Sequence, residues 1–209
     1  MDFSLLETMR LDEGTIVRLE RHLARLAGSA RQFGYPLDAT RIRGAVDETI
    51  RVHPHGQWRV RLLVARDGAP TIECVPYTRD PRTWRVTFAS DPVDSRDPFL
   101  ANKTTHREVY DSARRAHPDM DDVILSNERG EITEATLANV VVEIDGVRYT
   151  PPLASGLLGG AFRGELIASG DIQERLLTRA DLTKSSRLWL INSVREWIDA
   201  VLVEFQGTP

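Results

Sequence analysis

Lys103 is the residue whose type most suggests chemistry. It lies in the polar segment Asn-Lys-Thr-Thr-His-Arg at positions 102–107, and it is one of only two lysines, with Lys184, among the 27 basic residues. Because the chain uses arginine elsewhere for positive charge, a lysine at 103 suggests a task that arginine cannot perform. Such tasks are losing a proton near neutral pH and forming a Schiff base with a carbonyl. From the residue alone, a solvated surface charge remains an open alternative.

A second group of residues could bind an anion. The glycine-rich segment 156–160 runs into a predicted helix that begins at Ala161. Backbone N–H groups at the start of a helix can bind a phosphate. The segment is not followed by Gly-Lys-Ser/Thr, so it does not match a nucleotide-binding loop. Taken alone, the glycine-rich segment can be a tight turn between two elements. Two other residues that could take part in chemistry, Glu134 and Arg25, have similar alternatives: Glu134 can be a solvated carboxylate, and Arg25 can form a surface ion pair.

The composition narrows the class of protein. The formal net charge of −4 and the pI near 5.8 argue against a nucleic-acid-binding protein. The single cysteine, Cys74, excludes an intramolecular disulfide and fits a reducing compartment. We expect no metal site, because His53 and His55 lie in a Pro- and Gly-containing turn without nearby Cys or carboxylate ligands. Neither a signal peptide nor a membrane span of about 18 apolar residues is present in the sequence, which predicts a cytoplasmic location and no membrane partner.

Helices and strands alternate along the chain in a pattern typical of an α/β (α+β) protein. Apolar residues at helical spacing, together with caps and breakers, predict helices over 20–33, 39–52, 105–116, 161–169 and 179–184. The helix over 105–116 is expected to begin at a capping box formed by Thr105 and Glu108. Alternation predicts strands over 57–65, 71–77, 85–90, 121–126, 138–144, 147–150, 174–177, 188–192 and 197–205. We expect a small α+β domain over 1–90, an interdomain linker over 91–98 and a large domain over 99–209.

Several short motifs follow one another along nearly the whole chain. They are Arg-His-Leu-Ala-Arg-Leu at 21–26, Lys-Thr-Thr-His-Arg at 103–107, Asn-Glu-Arg-Gly-Glu-Ile-Thr-Glu at 127–134, Asn139, Thr-Pro-Pro-Leu at 150–153, Gly-Leu-Leu-Gly-Gly at 156–160, Arg163 and Asn-Ser at 192–193. Together they resemble the class IV aminotransferase family, the fold type IV enzymes that use pyridoxal 5′-phosphate. The resemblance implies a two-domain, D-amino-acid aminotransferase-like fold in which the large domain binds the cofactor. Most members carry a further N-terminal segment, so we expect a shortened N-terminus here.

The resemblance also implies roles for residues at matching positions. Lys103 would bind the cofactor aldehyde as a Schiff base, and the Glu134 carboxylate would hold the proton on the pyridine nitrogen. The phosphate would be bound by arginine and backbone groups at four further positions: Arg25, Ala161, Phe162, Ser193 and Val194. An anionic small-molecule substrate would need cationic partners, for which the candidates are Arg10, Arg107 and Arg195. Arg107 is the first choice, since it would lie about one turn beyond Lys103 if that segment is helical.

Within the family, residues 3–10 and the Lys-Thr-Thr-His-Arg motif are most similar to aminodeoxychorismate lyases, which release pyruvate and 4-aminobenzoate in folate biosynthesis. The alternative is an aminotransferase for branched-chain or D-amino acids. Branched-chain enzymes place a tyrosine five residues after the lysine, where this chain has Glu108, which weakens that alternative. A second alternative is a non-catalytic pyridoxal-phosphate-binding protein. The resemblance further implies a homodimer and an association with an aminodeoxychorismate synthase subunit.

Overall fold

The structure of the protein is a computed structural model that describes residues 3–203. Two compact units can be distinguished in it. The first unit contains the described residues up to Asp80 together with the short segment Asn102–His106. The second unit contains Pro81–Ala101 and the residues from 107 onward. Each unit has its own sheet and its own buried apolar residues.

The first unit is an antiparallel four-stranded sheet with two helices. The strand order is β2-β1-β3-β4, with β1 Leu5–Asp12, β2 Thr15–Ile16, β3 Gln57–Val64 and β4 Pro70–Pro76. Helix α1 is Leu19–Phe33 and helix α2 is Ala39–Val52. The side chain of Asp38 caps α2 by accepting a hydrogen bond from the backbone N–H of Arg41 at 3.0 Å. Alternate strand positions and residues four apart in the helices form the core: Leu5, Met9, Leu11, Leu26, Ala30, Ile42, Val46, Val60, Leu62 and Val64.

The second unit is built on an eight-stranded mixed sheet with the order β10-β9-β8-β11-β12-β5-β6-β7. Its strands are β5 Trp84–Phe88, β6 Asp122–Ser126, β7 Ile132–Ala135, β8 Asn139–Ile144, β9 Val147–Thr150, β10 Gln173–Glu174, β11 Arg187–Asn192 and β12 Glu196–Leu202. Its helices are α3 Pro98–Ala101, α4 Glu108–Ala116, α5 Ala161–Ser169 and α6 Arg179–Lys184, and a short 3₁₀ turn spans Leu153–Ser155. Strand β5 pairs in parallel with both β6 and β12, so a strand from the middle of the chain lies inside the sheet.

The predicted domain boundaries need correction at three places. Strand β5, assigned to the small domain over 1–90, belongs to the eight-stranded sheet of the second unit. The segment 91–98 is not a linker, because the N–H of Val93 donates to the Ser126 carbonyl at 2.9 Å within that unit. The segment Asn102–His106, placed in the large domain over 99–209, belongs to the first unit. Composition misled the prediction, since charged and Pro-containing residues also form ordered loops that pair with a strand end.

Several element boundaries also differ from the predictions. Helix α4 begins at Glu108 with Arg107 as its N-cap, so the predicted capping box at Thr105 is wrong. Strand β7 was not predicted, and the strand expected over 174–177 is only the pair Gln173–Glu174. The final predicted strand, over 197–205, is found as Glu196–Leu202, and the part of that prediction beyond residue 203 lies outside the described residues.

Candidate active site

Lys103 is held by its backbone in the first unit. The N–H of Leu6 donates to the Lys103 carbonyl at 2.9 Å, and the N–H of Thr105 donates to the Ser4 carbonyl at 2.9 Å. Thr104 forms an antiparallel bridge with Leu5. The lysine therefore lies on an extended segment paired with the beginning of β1, and its own side chain is half-buried. Because the segment is not helical, the argument that placed Arg107 one helical turn beyond Lys103 is wrong.

Arg25 projects from α1 and is bound by a buried carboxylate. Its Nε and Nη2 donate to the two oxygens of Glu7 at 2.9 and 2.6 Å. The same Glu7 carboxylate lies 2.6 Å from Nδ1 of His22, which is fully buried. His22 and Arg25 are three residues apart in α1, so both side chains lie on one face of the helix and reach the same strand. Sequence analysis predicted Arg25 but gave no role to Glu7 or His22.

Glu7 remains ionised in this cluster. Burial raises the pKa of its carboxyl group, but the positive charge and hydrogen bonds of Arg25, together with His22, outweigh burial and lower that pKa from 4.5 to about 2. At neutral pH the first unit therefore carries a buried negative charge beside Arg25. The guanidinium uses one edge, formed by Nε and Nη2, for this carboxylate.

Glu134 is the buried carboxylate of the second unit. Strand β7 places it inside the protein, where its side chain is 4% exposed. Oε1 accepts hydrogen bonds from the Tyr110 hydroxyl at 2.8 Å and from the Leu158 N–H at 3.1 Å. Oε2 accepts one from Nδ2 of Asn139 at 3.2 Å. These three donors fix the orientation of the carboxylate, as expected of a group that must hold a proton on a ring nitrogen.

Tyr110 is a residue of this cluster that sequence analysis missed. It lies on α4, three residues after Arg107, and its side chain is buried. Burial raises the pKa of its hydroxyl group, and the negative charge of Glu134 raises it further, so Tyr110 stays protonated and can donate. The Arg107 guanidinium stacks on the Tyr110 ring at 4.6 Å and donates to the Thr136 carbonyl at 2.6 Å. Arg107 thus also packs the cluster together, a role distinct from the predicted one in substrate binding.

The N-terminus of α5 is joined to Glu134 through Asn139. Nδ2 of Asn139 donates to the Leu158 carbonyl at 2.9 Å as well as to Glu134. Its Oδ1 packs so closely on Gly160 that a Cβ at that position would lie 2.1 Å away. Gly160 is the N-cap of α5 and has no side chain to occupy the helix end, and Ala161 and Phe162 follow as buried first-turn residues. The pyridine-nitrogen partner and the phosphate-binding turn predicted from the sequence are therefore connected within one unit.

The turn between β11 and β12 contains the remaining predicted phosphate ligands. Ser193 and Val194 are both buried there. Oδ1 of Asn192 accepts hydrogen bonds from the backbone N–H groups of Val194 at 3.1 Å and Arg195 at 2.9 Å. The Val194 N–H therefore already has an acceptor, and Asn192 shapes this turn. The Arg195 guanidinium stacks on Trp84 at 5.3 Å.

Arg10, the third candidate for substrate binding, lies in β1 of the first unit. It stands directly opposite Arg59 in β3, and its Nε is 3.6 Å from a carboxylate oxygen of Asp12. Like charges directly opposite each other disfavour strand pairing, and the Asp12 carboxylate lies close enough to offset part of this repulsion.

The donor set matches a ligand with an anionic end and a protonated ring. In the second unit, a carboxylate fixed by three donors is linked through one asparagine to a glycine-capped helix start. A helix start suits a phosphate dianion, and an oriented carboxylate suits a protonated pyridine nitrogen. The first unit contains a half-buried lysine, Lys103, and the arginine Arg25. The groups of the second unit fit the ring nitrogen and the phosphate of pyridoxal 5′-phosphate, as expected of a pyridoxal-phosphate-dependent enzyme of fold type IV.

Comparison with known proteins identifies the family. The amino-transferase class IV profile matches residues 4–203, and the chain belongs to this family. A candidate aminodeoxychorismate lyase from Schizosaccharomyces pombe is 30% identical over 217 residues, covering 97% of this chain and 91% of that protein. The crystal structure of a candidate amino-acid aminotransferase from Mesorhizobium loti is 39% identical, with a TM-score of 0.90 over 97% of this chain and 100% of that chain. A hypothetical aminotransferase from Mycobacterium tuberculosis in its pyridoxal-phosphate-bound form is 25% identical, with a TM-score of 0.78 over 95% and 81% of the two chains.

These findings confirm the family resemblance, the fold class, the cofactor and the prediction of an enzyme. Members of the family act on small molecules and are typically dimeric. Among residues 3–203, no helix is both long enough and apolar enough to cross a membrane. In the same part of the chain, no cluster of three or more His, Cys, Asp or Glu side chains is arranged to hold a metal ion.

Proposed function

We propose that the protein is a 4-amino-4-deoxychorismate lyase, which releases pyruvate and 4-aminobenzoate. The observation that carries this proposal is the similarity to a candidate lyase along nearly the whole of both chains. The environment of Glu108 supports the lyase proposal. Glu108, at the position where branched-chain aminotransferases have a tyrosine, is exposed and pairs with Arg115 at 2.6 Å. It is therefore turned to solvent in the second unit.

We propose roles in cofactor binding for the residues that match the family motifs. Lys103 would hold the aldehyde carbon of the cofactor, and Glu134 would hold the proton on its ring nitrogen. Its phosphate is bound by one side chain and by two backbone segments: Arg25, Ala161, Phe162, Ser193 and Val194. When bound, pyridoxal 5′-phosphate withdraws electrons from the substrate carbon that bears the amine. The fixed orientation of Glu134 supports this assignment, because a carboxylate held by three donors keeps its position when a proton is shared with it.

Lys103 would then act as the base. Its Nζ would take the proton from the amine-bearing ring carbon of the substrate. The carbon–oxygen bond to the enolpyruvyl group breaks, the substrate ring becomes aromatic, and the departing group gains a proton to leave as pyruvate. Atoms balance without water, oxidant or a second substrate. The two substrate carboxylates would be bound by arginines, for which we retain Arg10, Arg107 and Arg195 as candidates.

The decisive experiment supplies 4-amino-4-deoxychorismate to the purified protein without any 2-oxo acid. We expect pyruvate and 4-aminobenzoate to appear in equal amounts over many turnovers. The Lys103→Ala variant should lose turnover by a factor on the order of 10³ or more, because it removes both the attachment point and the base. Borohydride treatment should label Lys103 in the parent protein, and Lys184→Ala serves as the control. Labelling of Lys184 instead would overturn the assignment.

The second candidate function is transamination, which the match to an amino-acid aminotransferase favours. An aminotransferase needs a 2-oxo acid to complete its cycle, whereas a lyase does not. Turnover of branched-chain or D-amino acids that depends on a 2-oxo acid, with 4-amino-4-deoxychorismate inert, would establish this alternative. Absence of turnover with every substrate, despite bound cofactor, would favour the non-catalytic alternative.

We also propose that the protein is a homodimer, as is typical of the family. Light scattering over a range of concentrations tests this, and an active monomer at all concentrations would contradict it. Association with an aminodeoxychorismate synthase subunit would be tested by co-purification of the two proteins. A cytoplasmic location is consistent with the single cysteine.

A further inference from the structure

A charged cluster interrupts the apolar face of the first unit. In β1, the side chains of Leu5, Met9 and Leu11 alternate into the core, and Glu7 occupies the position among them. Directly opposite Glu7 in β3 is Leu62, which is fully buried. The strand pattern would place an apolar residue at position 7, so an ionised carboxylate there is not explained by core packing.

The geometry of the cluster restricts Arg25. Both oxygens of Glu7 accept from the Nε and Nη2 edge of the guanidinium, at 2.9 and 2.6 Å. A planar guanidinium bound at two points has one orientation, and its other edge, formed by Nη1 and Nη2, must point away from Glu7. His22, a fully buried residue of α1, forms a hydrogen bond with the same carboxylate. This bond fixes the position of the Glu7 carboxylate.

Stability alone is a weak explanation of such a cluster. Removing two charges from water costs free energy, and well-packed apolar residues of similar size often stabilise a core at least as well as a buried ion pair. The Arg25 side chain is 14% exposed, whereas Glu7 and His22 are buried. The cluster therefore has a closed inner part and one cationic end that reaches the surface of its unit.

We propose that Glu7 and His22 are positioning residues that hold the Arg25 guanidinium in the orientation that binds the cofactor phosphate. The inference rests on the proposed role of Arg25 as a phosphate ligand. An unrestrained arginine loses rotamer freedom when it binds an anion, and Glu7 fixes the side chain before binding occurs. His22 acts one step further away by fixing Glu7.

The test compares two probes that differ only in the phosphate, pyridoxal 5′-phosphate and pyridoxal, binding to the full-length apoprotein. We expect Glu7→Gln to weaken pyridoxal 5′-phosphate binding roughly tenfold, the size expected when an ordered side chain is freed, and to leave pyridoxal binding unchanged. Glu7→Asp keeps the charge but shifts the guanidinium, so it should weaken the same probe. The matched control is Glu20→Gln, also in the first unit, whose exposed carboxylate pairs with Arg43.

The variants at position 22 test the second positioning residue. His22→Asn retains a donor close to the position of Nδ1 and should restore much of the phosphate-dependent affinity that His22→Leu loses. A purely structural role predicts a different result, in which both probes bind more weakly together and the unfolding temperature falls in parallel. That result would overturn the inference, as would unchanged or tighter binding of pyridoxal 5′-phosphate by Glu7→Gln.

The Arg25→Gln variant separates failure of the inference from failure of the proposed phosphate site. If Arg25→Gln weakens pyridoxal 5′-phosphate binding while Glu7→Gln does not, Arg25 is a phosphate ligand and only the positioning role is wrong. If Arg25→Gln itself leaves both probes unaffected, the proposed phosphate role of Arg25 is wrong, and the positioning role is refuted with it.

Discussion

Two buried glutamates, one in each unit, are held in different ways. Glu7 in the first unit is bonded by Arg25 and His22, two side chains that can carry positive charge. The partners of Glu134 in the second unit include three neutral donors: a hydroxyl, a side-chain amide and a backbone N–H. A guanidinium balances the charge of a carboxylate, whereas neutral donors orient it and stabilise its charge without cancelling it.

The contrast shows what each carboxylate can do. The charge of Glu7 is used within the protein, where it holds a cationic side chain in place. In the proposed site, the charge of Glu134 would hold the proton on the pyridine nitrogen of the cofactor. Residue type does not separate the two, since both are glutamates on strands, β1 and β7. The difference lies in the partners that other elements bring to each carboxylate.

The largest expected effect comes from Glu134→Gln, which keeps the shape and removes the charge. If the charge serves the ligand, turnover should fall by roughly 10²-fold or more while the cofactor remains bound. Turnover of 4-amino-4-deoxychorismate and cofactor content by absorbance provide the measurement. The control is Glu131→Gln, whose parent carboxylate accepts hydrogen bonds from Arg129 as well as from Asn127 and Ser155. Equal turnover in the Glu134→Gln variant and the parent would show that the charge of Glu134 does not serve the ligand, and would contradict the different uses assigned to Glu7 and Glu134.

Glu7 should contribute to the free energy of unfolding in a way that depends on pH. Its pKa is about 2 in the folded protein against 4.5 as the ordinary value, so its contribution is complete above about pH 4.5 and is lost as the pH falls toward 2. The shift corresponds to about 3 kcal/mol of unfolding free energy. Urea unfolding of the parent and Glu7→Gln at a series of pH values should give curves that differ most near neutrality and converge in acid.

Glu20→Gln provides the comparison for that measurement, because its carboxylate is exposed and should leave the acid dependence as in the parent. A difference between the parent and Glu7→Gln that stays constant from pH 7 to pH 2 would mean that the ionised form of Glu7 is not what the first unit stabilises.

A smaller effect is expected where a glycine permits a close approach. In Gly160→Ala the new Cβ would lie 2.1 Å from Oδ1 of Asn139, so that side chain must move away from Glu134 and Leu158. We expect a loss of about 2 kcal/mol in unfolding free energy, the cost of disrupting a buried hydrogen-bonded group, and a reduced turnover.

Gly159→Ala is the matched control for this substitution. Its Cβ would meet only a methyl carbon of Leu153, at the ordinary contact distance of 3.7 Å. Thermal unfolding and turnover of the two variants are compared side by side. If both behave alike, the position of Asn139 does not govern the neutral-donor cluster around Glu134.

The sequence predicted those helices and strands that are defined by apolar spacing and by breakers within a few residues. The helices α2 and α5 have the predicted bounds, because apolar spacing and a stop at Gly or Pro define them. Strand β7 was missed because it has only four residues, and its adjacent polar residues Thr133 and Glu134 break the alternation that marks a strand. The beginning of α4 was misplaced because Thr105 is used for pairing with Ser4, about a hundred residues away in the chain, and not for capping.

The same limit applies to the candidate site. Lys103, Glu134 and Arg25 could be named from residue type, motif order and family resemblance. The partners of these residues could not, because they depend on contacts between distant segments. Tyr110 reaches Glu134 from 24 positions away, and Glu7 meets Arg25 across 18 positions. Nothing in the local sequence around a tyrosine on a helix or a glutamate on a strand indicates such a partner.

The smallest and most specific effect is expected for Tyr110→Phe, which removes one of the three donors to Glu134 and leaves the ring in place. One hydrogen bond of 2.8 Å to a carboxylate is lost, so we expect about 1.5 kcal/mol, or roughly tenfold in turnover. Since burial and Glu134 raise the pKa of the Tyr110 hydroxyl above its ordinary value of 10, the donor stays protonated at neutral and mildly alkaline pH. The ratio of parent to variant turnover should therefore be constant from pH 6 to about pH 9. Tyr149→Phe, on β9 of the same unit, is the control for loss of a hydroxyl. A ratio that falls toward one as the pH rises would show that Tyr110 ionises in this range, and the neutral-donor description of Glu134 would then be wrong.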